Sequence, residues 1–253
     1  MPRRRGVIHV HSTISYDGQQ TVAELAAYFR ARGFDFVCLA EHSDGLTAAD
    51  GERLVEEARR HSDERLTLVP GIEFSCRRRL HLLGLGVVAL VDSEDPLVVA
   101  DHVRAHDGVA IVAHPLAYGT DYPEALAERI DGLEVWNITK DGWFGPGAGP
   151  LALWRAWRCR NSRLRGFGAL DLHVFGSPTG LAVEIEAEGR DARAILDGLR
   201  RGPLTLHGRY VSISGLAPPA GVEALGYAAL SRGYVGLRRV RDRLRQWRAR
   251  RAG

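Results

Sequence analysis

The chain has 253 residues, 45% of them hydrophobic, with a formal net charge of +3 at pH 7. That is enough apolar material for one sizeable core, so a single α/β domain is expected. No apolar run approaches the roughly 20 residues that cross a bilayer, which argues against a helical membrane protein, and the near-balanced charge gives no strong pull toward a polyanionic partner.

Short apolar runs alternate with amphipathic segments, the pattern of βα units around a parallel sheet. The first predicted strand, 6–11, follows Arg5 directly, so a cytoplasmic protein without a leader is expected. Thr21 with Glu24 makes a capping box ahead of Leu25, Ala26 and Phe29, and Gly33 stops that helix. Strands are predicted over 34–40, 66–72 and 81–89. Asp95-Pro96 and Tyr122-Pro123 open further helices closed by Gly108 and Gly132, with strands at 109–113, 132–136 and 166–170. The Gly- and Pro-rich stretch 142–150 reads as a surface connection rather than a lid, and the Leu153, Trp154 and Trp157 cluster as packing. Asp191 starts another helix. Over 237–251, Leu237, Val240, Leu244 and Trp247 fall on one helical face with arginines around the rest, which reads as a terminal helix docked by its apolar stripe. Cys38, Cys76 and Cys159 form no C-x-x-C pair and are expected as free thiols.

The chemistry lies where histidines and acids meet the strand ends, because barrel enzymes gather reactive groups there. The first strand carries His9-Val10-His11, and period-two geometry puts both imidazoles on one face, able to share a metal ion. Ser15-Tyr16-Asp17-Gly18 follows. The next strands run into Glu41-His42 and Gly71-Ile72-Glu73; His81 opens the fourth; Ala113-His114-Pro115 and Asp171-Leu172-His173 end the fifth and seventh. This mix of imidazole and carboxylate suits Zn²⁺, Mn²⁺ or Fe²⁺. His61, His102, His106 and His207 fall elsewhere and read as surface or supporting residues.

The ordered set H-x-H, S-Y-D-G, E-H, G-I-E, H-L-L-G, A-H-P and D-x-H, spanning His9 to His173, resembles the PHP family, named for polymerase and histidinol phosphatase. The resemblance implies a distorted (β/α)7 TIM-like barrel over 1–236, with 237–253 as the appended basic helix, and two to three divalent metal ions. By position, His9, His11, Glu73 and Asp171 would hold the first metal, Glu73, His81 and His114 the second, and Asp17, His42 and His173 the third. Glu73, Asp171 and His173 would stand closest to the reaction, with a metal-bound hydroxide as nucleophile. In one departure, Ala40-Glu41-His42 stands where many relatives read T-D-H, and Glu41 is expected to orient an imidazole.

Paired metals roughly 3.5–4 Å apart suit phosphate ester hydrolysis. The implied activity is a metal-dependent phosphoesterase acting on a small-molecule phosphomonoester, and Arg77, Arg78 and Lys140, with Arg79 beside them, are candidate phosphate contacts. Two alternatives stay open. One is a phosphodiesterase or exonuclease, which the basic tail mildly favours although nucleic acid is the less favoured partner. The other is a metal-stabilised binding module without turnover.

Overall fold

A computed structural model describes residues 1–117, 122–177, 179–227, 229, 230, 233, 234 and 236. The expected basic helix over 237–251 lies outside the described residues.

The strands are β1 (Arg3–Val10), β2 (Phe36–Leu39), β3 (Glu41–His42), β4 (Thr67–Val69), β5 (Gly71–Cys76), β6 (Leu80–Leu85), β7 (Val109–Val112), β8 (Gly132–Asn137), β9 (Arg165–Ala169), β10 (Ala182–Glu186), β11 (Leu204–His207) and β12 (Ser212–Ser214). The helices are α1 (Val22–Arg30), α2 (Ala48–His61), α3 (Pro96–Ala105), α4 (Ile138–Asp141), α5 (Ala148–Arg158) and α6 (Ala192–Arg201). Local sequence explains the helix starts. Thr21 and Glu24 form the expected capping box, Thr47 and Asp50 form a second, and Asp95 and Asp191 cap α3 and α6 through their carboxylates.

Two six-stranded sheets result, ordered β12-β11-β10-β1-β2-β4 and β3-β5-β6-β7-β8-β9. They are joined by backbone hydrogen bonds. Leu170 N–H donates to Ile8 C=O at 3.1 Å, Leu172 N–H to His9 C=O at 3.2 Å, and His11 N–H to Leu172 C=O at 2.9 Å, so the chain beyond β9 lies along β1. On the other side of β1, Ala40 N–H donates to Val10 C=O at 2.9 Å. One apolar core runs through both sheets, with Trp136, Trp154, Phe29, Phe36 and Phe167 fully buried. Trp154 and Trp157 pack as expected.

Four expectations need correction. The strand read over 66–72 is two, β4 and β5, which belong to different sheets. Pro70 stands between them and has no N–H for a ladder, and at Gly71 a Cβ would come within 2.7 Å of the Leu39 carbonyl oxygen, so the chain turns where only glycine fits. The sheet is mixed rather than parallel. β6 runs antiparallel to both β5 and β7, and the short Arg77–Arg79 turn joins β5 to β6 as a hairpin. The antiparallel strands β10, β11 and β12 were not anticipated. The stretch 142–150 is only partly loop, since α5 begins at Ala148, and the helix expected after Pro123 is a short 3-10 segment, Glu124–Glu128.

Candidate metal centre

The predicted ligands converge where the two sheets join. His9, His11, His42, Glu73, His114 and Asp171 are buried, while His173 and Asp17 are partly exposed toward the opening. Glu73 lies at the middle. Its Oε1 lies 2.8 Å from His81 Nδ1 and 3.0 Å from His114 Nε2, while Oε2 lies 3.2 Å from His9 Nε2, 3.5 Å from His11 Nε2 and 3.1 Å from His42 Nδ1. Asp171 Oδ1 faces His9 Nε2 at 3.6 Å, His11 Nε2 at 3.8 Å and His173 Nδ1 at 3.6 Å. Asp17 reaches His42 Nε2 at 3.4 Å and His173 Nε2 at 3.3 Å. The His11 ring stacks on those of His42 and His173, with centroids 4.3 and 4.0 Å away.

Several donor sets are compact enough to hold one cation each: His9, His11 and Glu73; His9, His114 and Asp171; Glu73, His81 and His114; His11, His42 and His173. The buried atoms His9 Nε2, His11 Nε2 and Glu73 Oε2 complete no hydrogen bond. Buried polar atoms are seldom left so, and a cation would satisfy all three.

Electrostatics point the same way. Burial opposes charge on the His9 ring, but Glu73, Glu134 and Asp171 outweigh it and hold its pKa well above the ordinary value. A cation among these carboxylates would take the place of that proton. Burial, then the neighbouring rings of His9, His173 and His42, hold His11 well below the ordinary value, so it is neutral and able to ligate. Burial alone would raise Glu73, but His9, His114, His42 and His81 keep it ionised, well below the usual carboxylate range.

Glu134 was missed in the sequence reading. It is fully buried on β8, and its Oε1 lies 2.6 Å from His9 Nδ1. Its Oε2 accepts from His114 N–H at 2.7 Å and from Asn137 Nδ2 at 2.8 Å. With the Nδ1 proton held by Glu134, His9 turns its Nε2 lone pair to the cluster. The only sequence signal was an acid inside the apolar run 132–136.

Glu41 acts differently from expectation. Its carboxylate accepts from the Ser12 and Ser15 backbone N–H groups at 3.0 Å each and from Ser15 Oγ at 2.5 Å. Ser15 Oγ in turn accepts from His42 N–H at 3.0 Å and lies 3.4 Å from His11 Nδ1. Glu41 therefore fixes the 12–15 loop and reaches the imidazoles only through Ser15.

Lys140 Nζ lies 2.9 Å from Asp171 Oδ2, so this candidate phosphate contact touches the cluster. Burial would raise Asp171, but His9, Lys140 and His114 outweigh it and hold the carboxyl below its ordinary range. Arg77, Arg78 and Arg79 sit on the exposed β5–β6 turn, with Arg77 paired to Asp95 at 2.6 Å. His61, His102, His106 and His207 lie outside the cluster; His102 Nε2, for example, reaches the Ala89 carbonyl oxygen at 2.8 Å.

A candidate metal-dependent phosphoesterase from Bifidobacterium adolescentis superposes with a TM-score of 0.51 at 17% identity, covering 69% of this chain and 90% of its own. The chain has the fold of that structure. This likeness supports the PHP resemblance. PsfC from Pseudomonas syringae superposes with a TM-score of 0.55 at 17% identity, covering 92% of this chain and 98% of its own. A lesion-specific endonuclease from Pyrococcus furiosus aligns at a TM-score of 0.49 and 13% identity over 79% of this chain and 56% of its own. No protein-family model and no curated protein matches the sequence. Among the described residues no helix is long and apolar enough to cross a membrane.

Proposed function

We propose that this chain is a metal-dependent phosphoesterase that hydrolyses a small phosphomonoester. The observation that carries the reading is the buried cluster around Glu73, in which three imidazole or carboxylate atoms aimed at one another complete no hydrogen bond. We read the two joined sheets as the distorted barrel that the PHP resemblance implies, with the cluster at its mouth. His9, His11, Glu73 and Asp171 would hold one divalent ion, Glu73, His81 and His114 a second, and Asp17, His42 and His173 a third. Mn²⁺, Zn²⁺ and Fe²⁺ all suit this donor set. When bound, such ions supply Lewis acidity toward phosphoryl oxygens and make water nucleophilic at neutral pH.

The protein's own residues do the rest. Glu134 keeps His9 in the tautomer that ligates, Glu41 and Ser15 hold the loop leading to Asp17, and Glu73 would serve two of the donor sets, since its two oxygens lie within 3.5 Å of His9, His11, His42, His81 and His114. Lys140, beside Asp171, places a positive charge at the edge of the centre, where it can pair with a phosphoryl oxygen. His173, partly exposed at the opening, would contact the ester once bound.

The test is phosphate release from a panel of mono- and diesters by metal-free protein reloaded with Mn²⁺, Zn²⁺ or Fe²⁺, with His11→Ala as control. Turnover that needs metal and is lost in His11→Ala supports the reading, and faster cleavage of diesters would shift it to a phosphodiesterase. Metal binding without hydrolysis of any ester would leave a metal-stabilised binding module.

A further inference from the structure

The outermost of the proposed donor sets is assembled from separate stretches of chain. Asp17 comes from the loop after β1, His42 from β3 and His173 from the segment beyond β9. The three stand close together: His42 Nε2 and His173 Nε2 lie 3.3 Å apart, and Asp17 reaches them at 3.4 and 3.3 Å. The Glu73 side chain is fully buried, whereas those of Asp17 and His173 are 38% and 27% exposed. Core packing therefore does little to fix these two, and their spacing depends on how their backbones are held.

The loop of Asp17 is closed on its inner side by Glu41, which accepts from the Ser12 and Ser15 N–H groups, and by Gly18, where a Cβ would run into the Ser12 carbonyl oxygen. Its outer side is joined to the segment of His173. Gln19 N–H donates to His173 C=O at 2.9 Å, and Gln20 Oε1 accepts from Phe175 N–H at 3.1 Å. The first bond is backbone to backbone; the second depends on the Gln20 side chain. Both ends of that second bond are anchored to α1. Gln20 immediately precedes Thr21, the N-cap whose capping box with Glu24 fixes the start of the helix. Phe175 stacks its ring on Tyr28 of the same helix with centroids 4.3 Å apart, and the Arg32 guanidinium carbon lies 3.5 Å from the Tyr28 ring centroid. Tyr28 Oη also lies 3.3 Å from Thr179 Oγ1, farther along the His173 segment. One helix thus sets the distance between the acceptor and its donor.

We infer that Gln20 is a positioning residue for the outer metal ion: it staples the loop of Asp17 to the segment of His173, so that both side chains stand where one cation can share them with His42. This rests on reading the cluster as a metal centre and assigns what governs the filling of its outer site. The inner sets do not pass through this joint. Glu73 and His81 are tied by the β5–β6 ladder, and His9 and His114 by Glu134, so loss of the Gln20 amide should be felt at the outer site alone.

The experiment titrates metal-free protein with Mn²⁺, followed by calorimetry and by electron paramagnetic resonance of the unbound ion, for wild type, Gln20→Ala, Asp17→Asn and the double variant. Amide hydrogen exchange at Phe175 reports on the staple itself. The wild type should show tight sites and a weaker class. Gln20→Ala should speed exchange at Phe175 and weaken the weaker class by about tenfold, the lower end for a residue that orients a ligand, while the tight class stays within about twofold. Asp17→Asn should weaken the same class, and adding Gln20→Ala to it should cost clearly less than Gln20→Ala alone, because the staple then has no carboxylate to place. Unchanged weak-class affinity in Gln20→Ala, equal losses in both classes, fully additive effects or a wild type without a weaker class would each overturn the inference. A wild type that binds no Mn²⁺ overturns the metal centre and the inference together. Two classes with the expected couplings but no hydrolysis of any ester keep the inference and overturn the phosphoesterase activity instead.

Discussion

Replacing Glu134 by glutamine tests the least anticipated part of the site. The carboxylate accepts from His9 Nδ1 at 2.6 Å, from His114 N–H at 2.7 Å and from Asn137 Nδ2 at 2.8 Å. Glutamine has the same length but one oxygen and one NH2 group, so a donor must face a donor on one side. If the oxygen stays toward His114 and Asn137, the amide N–H donates to His9 Nδ1 and drives the proton to Nε2, the atom that faces Glu73 and Asp171, and His9 can no longer ligate. If the amide flips, His9 keeps its tautomer but two buried donors lose their acceptor, and His114 loses its anchor. Removing such a partner costs about 10- to 100-fold in metal affinity, equivalent to about 1.4–2.8 kcal/mol. The assay is competition for Zn²⁺ or Mn²⁺ against a chromogenic chelator, with circular dichroism to establish that Glu134→Gln is folded. A folded variant that binds metal within about twofold of the wild type would refute the claim that Glu134 sets the His9 tautomer.

Chelation should lower Tm, because the cluster gathers carboxylates that a cation neutralises; reloading to 100 times Kd adds about 2.7 kcal/mol, or about 5–10 °C for a chain of this size, and an unchanged Tm by scanning fluorimetry would speak against a metal centre. Glu41→Ala leaves the Ser12 and Ser15 N–H groups and the Ser15 hydroxyl without their acceptor, which should cost about 3 kcal/mol or more in urea unfolding; a midpoint equal to wild type would mean the loop finds other partners. Alkylation of native protein at pH 8 should modify Cys159, which is exposed, and spare Cys38 and Cys76. Burial raises both spared thiols, and with help from Asp95 and Glu94 it pushes Cys76 up to about 12, so the reactive thiolate is scarce until pH approaches that value; mass spectrometry that finds adducts on either in the folded state would contradict the burial.

How much of this could be read from the sequence depends on how local each determinant is. The capping boxes are local, since Thr21 and Glu24 announce α1 with residues that touch each other. The site residues were legible for a different reason: His9, His11, His42, Glu73, His114 and Asp171 are chemically conspicuous at the ends of apolar runs, and burying them without partners would be costly. Sheet direction was not legible. An apolar run such as 80–85 has the same composition whether it runs parallel or antiparallel, and only the brevity of the Arg77–Arg79 turn, too short for a crossover, carried that information. Glu134 escaped because its role depends on contacts with His9, 125 positions away, and with the His114 backbone. Glu41 was noticed, but its actual partners, two backbone N–H groups of the 12–15 loop, have no signature in the residue types involved.

The period-two argument for His9 and His11 reached the right place by an incomplete route. In a regular strand, residues two apart share a face but stand about 6.6 Å apart, and their ring nitrogens point along parallel lines rather than at one atom. Here the pairing of β1 with β2 slips between Ile8 and Val10, and His9, in the slip, takes φ of 64°. The bulge re-aims its side chain, so the two ring centroids close to 5.0 Å and both Nε2 atoms face Glu73 Oε2. Asp171 and His114 repeat the device, with φ of 53° and 26°, each just past the last regular residue of its strand. Conformations of this kind persist only where surrounding contacts over-determine them. His9 is held from both sides, its carbonyl by Leu172 N–H and its ring by Glu134, while His114 is held through its own N–H by the same Glu134. Convergence of the cluster is thus produced by strained residues at the strand ends, and Glu134 links two of them, which is why the loss of one carboxylate that touches no substrate should be felt across the whole centre.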